Sequence, residues 1–251
     1  MLDLVEETKS NLINDRVRLV WAGVEGWVGD RVQDVLRWIE EDHRLKDIHG
    51  DIVEIGVHHG KFFFMIDALA RKGECSVAID IWEDQRLNVD SSGCGSKDIF
   101  LRHVENIAPQ SDIRIISGDS MSLKEADILA STINKKVRFL SVDGGHTVTH
   151  VVNDLSLAQN IIVPGGIIAL DDFMGTCWPT VSEGFYRFMD RYNRRLAPFL
   201  IFQNKLWLTT YSEYSEVLAS AVDFFARNEG QRWHTNWRYS HVGEFKVLIA
   251  F

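Results

Sequence analysis

The spacing of hydrophobic positions along the 251-residue chain changes near residue 50. Before that point Val32, Val35, Leu36 and Ile39 recur three and four apart, the period of a helix with one buried stripe. Asp30 stands where a helix N-cap is expected. Trp21, Trp27 and Trp38 add apolar area to the same region, so residues 1–50 are predicted to form a helical cap or lid. From residue 51 short apolar runs alternate with helical patterns. Strands are predicted at 52–56, 76–80, 112–118, around Phe139 and around Ile167, with helices over 61–71, 98–107, 122–132 and 150–161. Five strand–helix repeats of this kind predict a doubly wound α/β sheet covered on both faces.

Beyond Asp172 the pattern changes. A helix over 180–192 leads to a hairpin, 199–202 and 206–209, turning at Asn204-Lys205. A helix over 213–227 and a last strand at 245–249 follow. A hairpin of this kind gives a mostly parallel sheet an antiparallel end. No internal boundary or repeat is visible, so residues 51–251 read as one globular unit behind the 1–50 cap.

Composition narrows the function classes. Apolar content of 45% and charged content of 25% are those of an ordinary soluble domain. A net charge of -9 argues against a nonspecific nucleic-acid binder, and Arg191, Arg194 and Arg195 read as a solvated helix face. Cys75, Cys94 and Cys177 form no Cys-x-x-Cys pair, which suits reduced thiols in a cytoplasmic protein. No apolar run approaches the roughly 18 residues that span a bilayer. The expected partner is therefore a small molecule, not a membrane or nucleic acid, and a homo-oligomer stays open.

Two strand-like runs end abruptly in acids: 138–142 before Asp143-Gly144-Gly145-His146, and 166–170 before Asp171-Asp172. Ligands of open parallel sheets sit just beyond the carboxyl ends of the strands. Asp143, Asp171 and Asp172 gathered there, with His146 beside them, would make a hard cation site with a base. Oxygen ligands suit magnesium better than zinc. The blander alternative is that the acid pair caps the following helix. Upstream, Glu54-Ile55-Gly56-Val57-His58-His59-Gly60 lies where the first strand hands over to the first helix. Its glycines permit a sharp turn and close backbone approach to a ligand, but their spacing is not that of a dinucleotide fingerprint. Asp80 ends the second strand, where a carboxylate takes a ribose diol. Asp119 and Ser120 end the third, where side chains meet an adenine edge. Trp82 is placed either to stack on adenine or simply to pack. These features describe a nucleoside-bearing cofactor without a bound pyrophosphate, which S-adenosylmethionine answers.

On these residues the chain resembles the class I S-adenosylmethionine-dependent methyltransferases. More narrowly it resembles the magnesium-dependent O-methyltransferases of sugars and macrolide or aminocoumarin natural products. The likeness covers about residues 50–190 and is carried by Asp-Gly-Gly-His, Pro-Gly-Gly-Ile-Ile-Ala-Leu-Asp-Asp-Phe and Trp-Pro-x-Val-x-Glu-Gly. It implies a Rossmann-like, seven-stranded, mostly parallel sheet. It implies that Glu54, Gly56, Gly60, Asp80 and Asp119 bind cofactor, and Trp82, Ser120 and Asp143 are expected to join them. It also implies that Asp143, Asp171 and Asp172 hold magnesium and that His146 is the base. His58-His59 departs from the small or polar residues of many relatives. Trp178 and Glu183 are candidates to reach the acceptor, and His150 reads as structural. Two alternatives stand beside this reading: a noncatalytic cofactor-binding subunit of a biosynthetic complex, and a metal-independent N- or C-methyltransferase.

Overall fold

A computed structural model describes residues 2–227 and 237–250, with side chains from Asn11 onward. The change of period at residue 50 is where the chain enters its sheet. Five strands follow: β1 (Asp51–Ile55), β2 (Ser76–Asp80), β3 (Ile113–Ser117), β4 (Val137–Val142) and β5 (Ile162–Leu170). They are joined by α3 (Lys61–Asp67), α4 (Lys97–Ile107), α5 (Glu125–Ser131) and α6 (Val148–Ile161). In space they run β3-β2-β1-β4-β5, all parallel. The strand order reverses between β1 and β4, which opens a crevice at their carboxyl ends.

Next, α7 (Pro179–Arg191) leads to β6 (Leu196–Phe202) and β7 (Lys205–Thr210), and β7 inserts antiparallel between β5 and β6. After α8 (Tyr214–Arg227), β8 (Trp237–Val242) and β9 (Phe245–Ala250) form a second hairpin whose β9 lies parallel to β6. Among the described residues the sheet thus has nine strands where seven were expected. The extra hairpin was only half visible: β9 is apolar, whereas β8 is a largely exposed edge strand with Arg238, Ser240 and His241 in it.

Side chains alternate across the sheet and build two cores. Ile52, Phe139, Ile167 and Trp207 pack under α3, α8, α1 (Leu2–Gly23) and α2 (Val32–Leu45). Val53, Leu140, Ile168 and Leu208 pack under α6 and α7 on the other face. Trp38 lies against Phe199, and its indole donates to Ser220 Oγ at 3.1 Å, so α2 is fastened to α8 over the first face. Among the described residues no helix is long and apolar enough to cross a membrane.

Three local expectations are corrected. Arg31, not Asp30, occupies the N-cap of α2, and its backbone N–H is satisfied by Gln203 Oε1 at 3.0 Å. Asp34 meets the positive end of the helix from inside its first turn. α3 stops at Asp67, because Leu69 and Ala70 tighten to i→i+3 bonds on Ile66 and Asp67. The β6–β7 turn is Gln203-Asn204, both left-handed at φ 57 and 65, and Lys205 already pairs opposite Phe202 in β7.

Candidate active site

Strand register assembles the site. Ile55, Val142, Leu170 and Leu206 lie side by side across β1, β4, β5 and β7. The ladder continues one step, with Asp143 N–H on Ile55 O at 2.8 Å and Asp171 N–H on Val142 O at 3.0 Å. Asp143, Asp171 and Lys205 therefore form the next row, on the face that carries Phe139 and Trp207. Glu54 lies one row deeper on that face, opposite Ser141. Together they floor a cleft of about 830 Å³ that runs from Asp80 to Trp178.

The cofactor-side residues divide into those that line the cleft and those that do not. Gly56 has φ 83, and a Cβ there would lie 1.7 Å from the Asp143 carbonyl oxygen. Only glycine lets the β1 and β4 turns meet this closely. Asp80 accepts the N–H groups of Val57 and His58 at 2.7 Å each and of Trp82 at 2.6 Å, which stitches the β1 turn to the end of β2. Asp119 accepts Met121 N–H at 2.9 Å, and Ser120 sits beside it with its carbonyl bonded by Asn153. Asp80, Asp119 and Ser120 all line the cleft. Gly60 does not line it: it caps α3 at φ 95, where a Cβ would strike the Phe64 ring at 2.3 Å, so its need for glycine is internal packing. Of the two alternatives for Trp82, the structure shows packing. The residue is 2% exposed, packs 5.1 Å from Phe100 and stays outside the cleft.

Glu54 is 1% exposed, and neither carboxylate oxygen has a partner in good hydrogen-bond geometry, although the neighbouring Ser141 hydroxyl favours its ionised form. Burial pushes its pKa up to about 8. An orphaned carboxyl in the wall of a cleft, beside a glycine turn, fits a ligand that brings its own N–H donors or positive charge. That is the chemistry of the methionine moiety of S-adenosylmethionine.

At the other end His146 is held between two acids. Its Nδ1 lies 3.0 Å from Asp90 Oδ2, its Nε2 3.1 Å from Asp172 Oδ2, and its ring stacks on Trp178 at 4.3 Å. Burial disfavours the imidazolium, but the Asp172 hydrogen bond and the Asp90 charge outweigh it and hold the His146 pKa above its ordinary value. Asp172 itself is left-handed at φ 55, and Asn204 Nδ2 donates to its Oδ1 at 2.8 Å. Burial works against its ionisation, yet the His146 and Asn204 bonds keep its pKa below the usual range. Asp143, His146 and Asp172 offer ligand atoms within 4.8 Å of one another. Two carboxylates in that space fit a magnesium ion, which commonly takes one or two and keeps its waters. Asp171 is engaged elsewhere, in an ion pair with the Lys205 ammonium. Low-dielectric surroundings and the Asp171 charge push Asp143 well above the carboxylate range, against the pull of Lys205.

Asp90 and Lys205 escaped the sequence reading. Asp90 sits among loop polar residues with no spacing signal. A lysine opening the apolar run 206–208 was a usable signal, hidden by the one-residue error in the turn.

The fold and part of the sequence have relatives. Residues 53–173 match the methyltransferase domain family. No curated protein matches the chain. Among solved structures, the O-methyltransferase NovP superposes with TM-score 0.57 at 16% identity, over 71% of this chain and 80% of that one. A putative caffeoyl-CoA O-methyltransferase from Staphylococcus aureus gives TM-score 0.54 at 12% identity, over 79% and 91%. An O-methyltransferase from Bacillus cereus in complex with SAH gives TM-score 0.51 at 13% identity, over 80% and 90%.

Proposed function

We propose that this chain, whose residues 53–173 match a methyltransferase domain family, is a class I S-adenosylmethionine-dependent enzyme that methylates a hydroxyl oxygen of a small molecule such as a sugar or decorated natural product. Under this reading magnesium is held at Asp143 and Asp172, and His146 takes the hydroxyl proton. The observation that carries it is the convergence of Asp143, His146 and Asp172 in the same cleft that the Gly56 turn and Glu54 line. Binding roles for Glu54, Gly56, Asp80, Asp119 and Ser120 follow from their places along that cleft, whereas Gly60 acts by shaping α3. In this reading Trp82 supports the wall from behind through Phe100, without touching cofactor.

Bound along this cleft, S-adenosylmethionine would supply a methyl group on a sulfonium, and a divalent cation held by Asp143 and Asp172 would lower the pKa of the acceptor hydroxyl. In the reaction the carbon–sulfur bond breaks, a carbon–oxygen bond forms, and the hydroxyl proton passes to the protein. His146 receives it as a neutral imidazole. Asp90 orients the ring through Nδ1, and the Trp178 stack fixes its plane. Asp172 faces both His146 and the cation position, so a carboxylate drawn to one role releases the other. Trp178 and the 76%-exposed Trp27 are apolar surfaces at the rim for an acceptor ring. The 830 Å³ of the cleft leaves room for such a molecule beside the cofactor.

One observation favours a metal-independent reaction as the second reading: Asp171 and Asp172 each already face a basic side chain of the chain itself, Lys205 and His146. A single assay separates the two. The protein is incubated with S-adenosylmethionine and a panel of sugar and phenolic acceptors, with magnesium or EDTA, and products are weighed by mass spectrometry. A product 14 Da heavier that disappears with EDTA supports the first reading, since 14 Da is the mass of an added CH₂. Product in both supports the second, and methylation at nitrogen or carbon alone overturns O-methylation.

A further inference from the structure

The β6–β7 hairpin reaches both acids of the 171–172 pair, through Lys205 to Asp171 and through Asn204 to Asp172. Lys205 is 1% exposed in a strand that continues Leu-Trp-Leu, and its ammonium lies 4.3 Å over the Phe62 ring. Lysine is almost never buried this fully without a partner, because removing its charge from water is costly. The two left-handed residues Gln203 and Asn204 fix the register that turns Lys205 inward. A slip of one residue would point it at the opposite face. Asp143, Asp171 and Glu54 all surround this one ammonium, and Asp171 is the acid that contacts it.

Resting on the magnesium reading above, we propose that Lys205 is a built-in counter-cation that keeps Asp171 from ligating metal and confines a divalent ion to Asp143 and Asp172. The chain thereby supplies one of the positive charges its acid cluster requires. Asp171 becomes a positioning residue, which holds Lys205 and, through its Oδ1, the Asp172 backbone N–H at 2.8 Å. The ion is left with two carboxylates and open positions for water and substrate.

The test is Mn²⁺ binding to the full chain, read by calorimetry and by electron paramagnetic resonance without any acceptor. Asp171→Asn should leave the affinity within about threefold, whereas Asp172→Asn should weaken it at least about tenfold. Lys205→Gln should tighten binding about tenfold or more by releasing Asp171, and the double variant Lys205→Gln/Asp171→Asn should return it to the parent value. The double variant removes both charges of the pair, so it remains informative if the single lysine variant does not fold. Asp171→Asn as damaging as Asp172→Asn, or a double variant weakened tenfold, overturns the inference while leaving metal binding intact. A gain in Lys205→Gln that persists in the double variant also overturns it, since the effect would then be charge alone. Binding by Lys205→Gln but not by the parent overturns magnesium dependence and supports Lys205 as the occupant of the cation's place. No binding by either protein overturns both.

Discussion

Gly56 and Asp143 touch through an absent side chain: the space a Cβ would take on Gly56 is filled by the Asp143 carbonyl, 1.7 Å from it. This contact joins the turn after β1 to the turn after β4, and so joins the Asp80 end of the cleft, where the cofactor is proposed to bind, to the acid end. Gly56→Ala should separate them. Left-handed φ costs an L-residue about 1–2 kcal/mol, and the clash with backbone adds to it. The expected result is a folded but destabilised protein, with S-adenosylhomocysteine affinity and the Asp143-dependent Mn²⁺ affinity both reduced. Calorimetry showing parent-like affinity for both ligands would refute the coupling.

The sequence made the parallel half of the fold legible because β1, β2, β4 and most of β5 are buried on both faces and their acids sit at strand ends. That rule grouped Asp143, Asp171 and Asp172 with His146, of which Asp143, His146 and Asp172 converge while Asp171 turns to Lys205. What it hid depends on tertiary facts. Trp82 follows Asp80 in sequence, but its left-handed φ of 50 turns the ring into the Phe100 core. Lys205 looked like a turn residue, and only the register of β7 against β6 turns it inward. Asp90 reaches His146 from a loop 56 residues away, a pairing no local pattern encodes.

Glu54 makes the ligand-free protein lose stability as pH rises from about 4.3 to about 8. Its folded pKa of about 8 lies above the unfolded carboxylate value near 4.3, chiefly through burial. Between those values the folded state keeps a proton that the unfolded chain releases, so stability falls as pH rises. Glu54→Gln removes that dependence. The variant should be more stable than the parent by about 1–3 kcal/mol at pH 8, with the gap closing toward pH 5. It should also bind S-adenosylmethionine more weakly. Denaturant melts at the two pH values, with and without cofactor, check both halves. Parallel pH profiles for the two proteins would contradict the assignment.

A second ionic cluster, far from the cleft chemistry, should set the acid limit of the fold. Arg138 of β4 is fully buried, with Nη2 on Glu74 Oε2 at 2.8 Å and on the Leu69 carbonyl at 2.6 Å. Its Nη1 lies 3.1 Å from His43 Nδ1, so that nitrogen accepts and the ring is neutral. Arg138→Met should cost about 3–5 kcal/mol by leaving Glu74 buried and unpaired, and Arg138→Met/Glu74→Leu should cost less than the sum of the single changes. Burial and the Arg138 charge hold the His43 pKa well below 6.5. The unfolded chain therefore takes up a proton that the folded one refuses, and stability should fall as pH drops below about 6.5. Melting temperatures from pH 8 to 5 test this, and His43→Asn should flatten the neutral-to-acid part of the slope.

His146 and its clamp give the most direct test of the chemistry. His146→Ala should lower kcat by about 10²–10⁴ while cofactor affinity stays near the parent value, because in the proposed mechanism the ring takes the proton and the turn residues bind the cofactor. Asp90→Asn keeps the hydrogen-bonding shape at Nδ1 but removes the charge that orients and favours the imidazolium. If Asp90 acts by positioning, this variant should lose about 10-fold or more in kcat with little change in acceptor KM. Should Asp90 instead contact the acceptor, KM would rise and kcat would hold. A third outcome, in which both variants retain full kcat with magnesium present, would leave the metal and Asp143 to activate the hydroxyl and would remove His146 from the mechanism. Steady-state kinetics on one accepted substrate, with product confirmed by mass, distinguishes these three results.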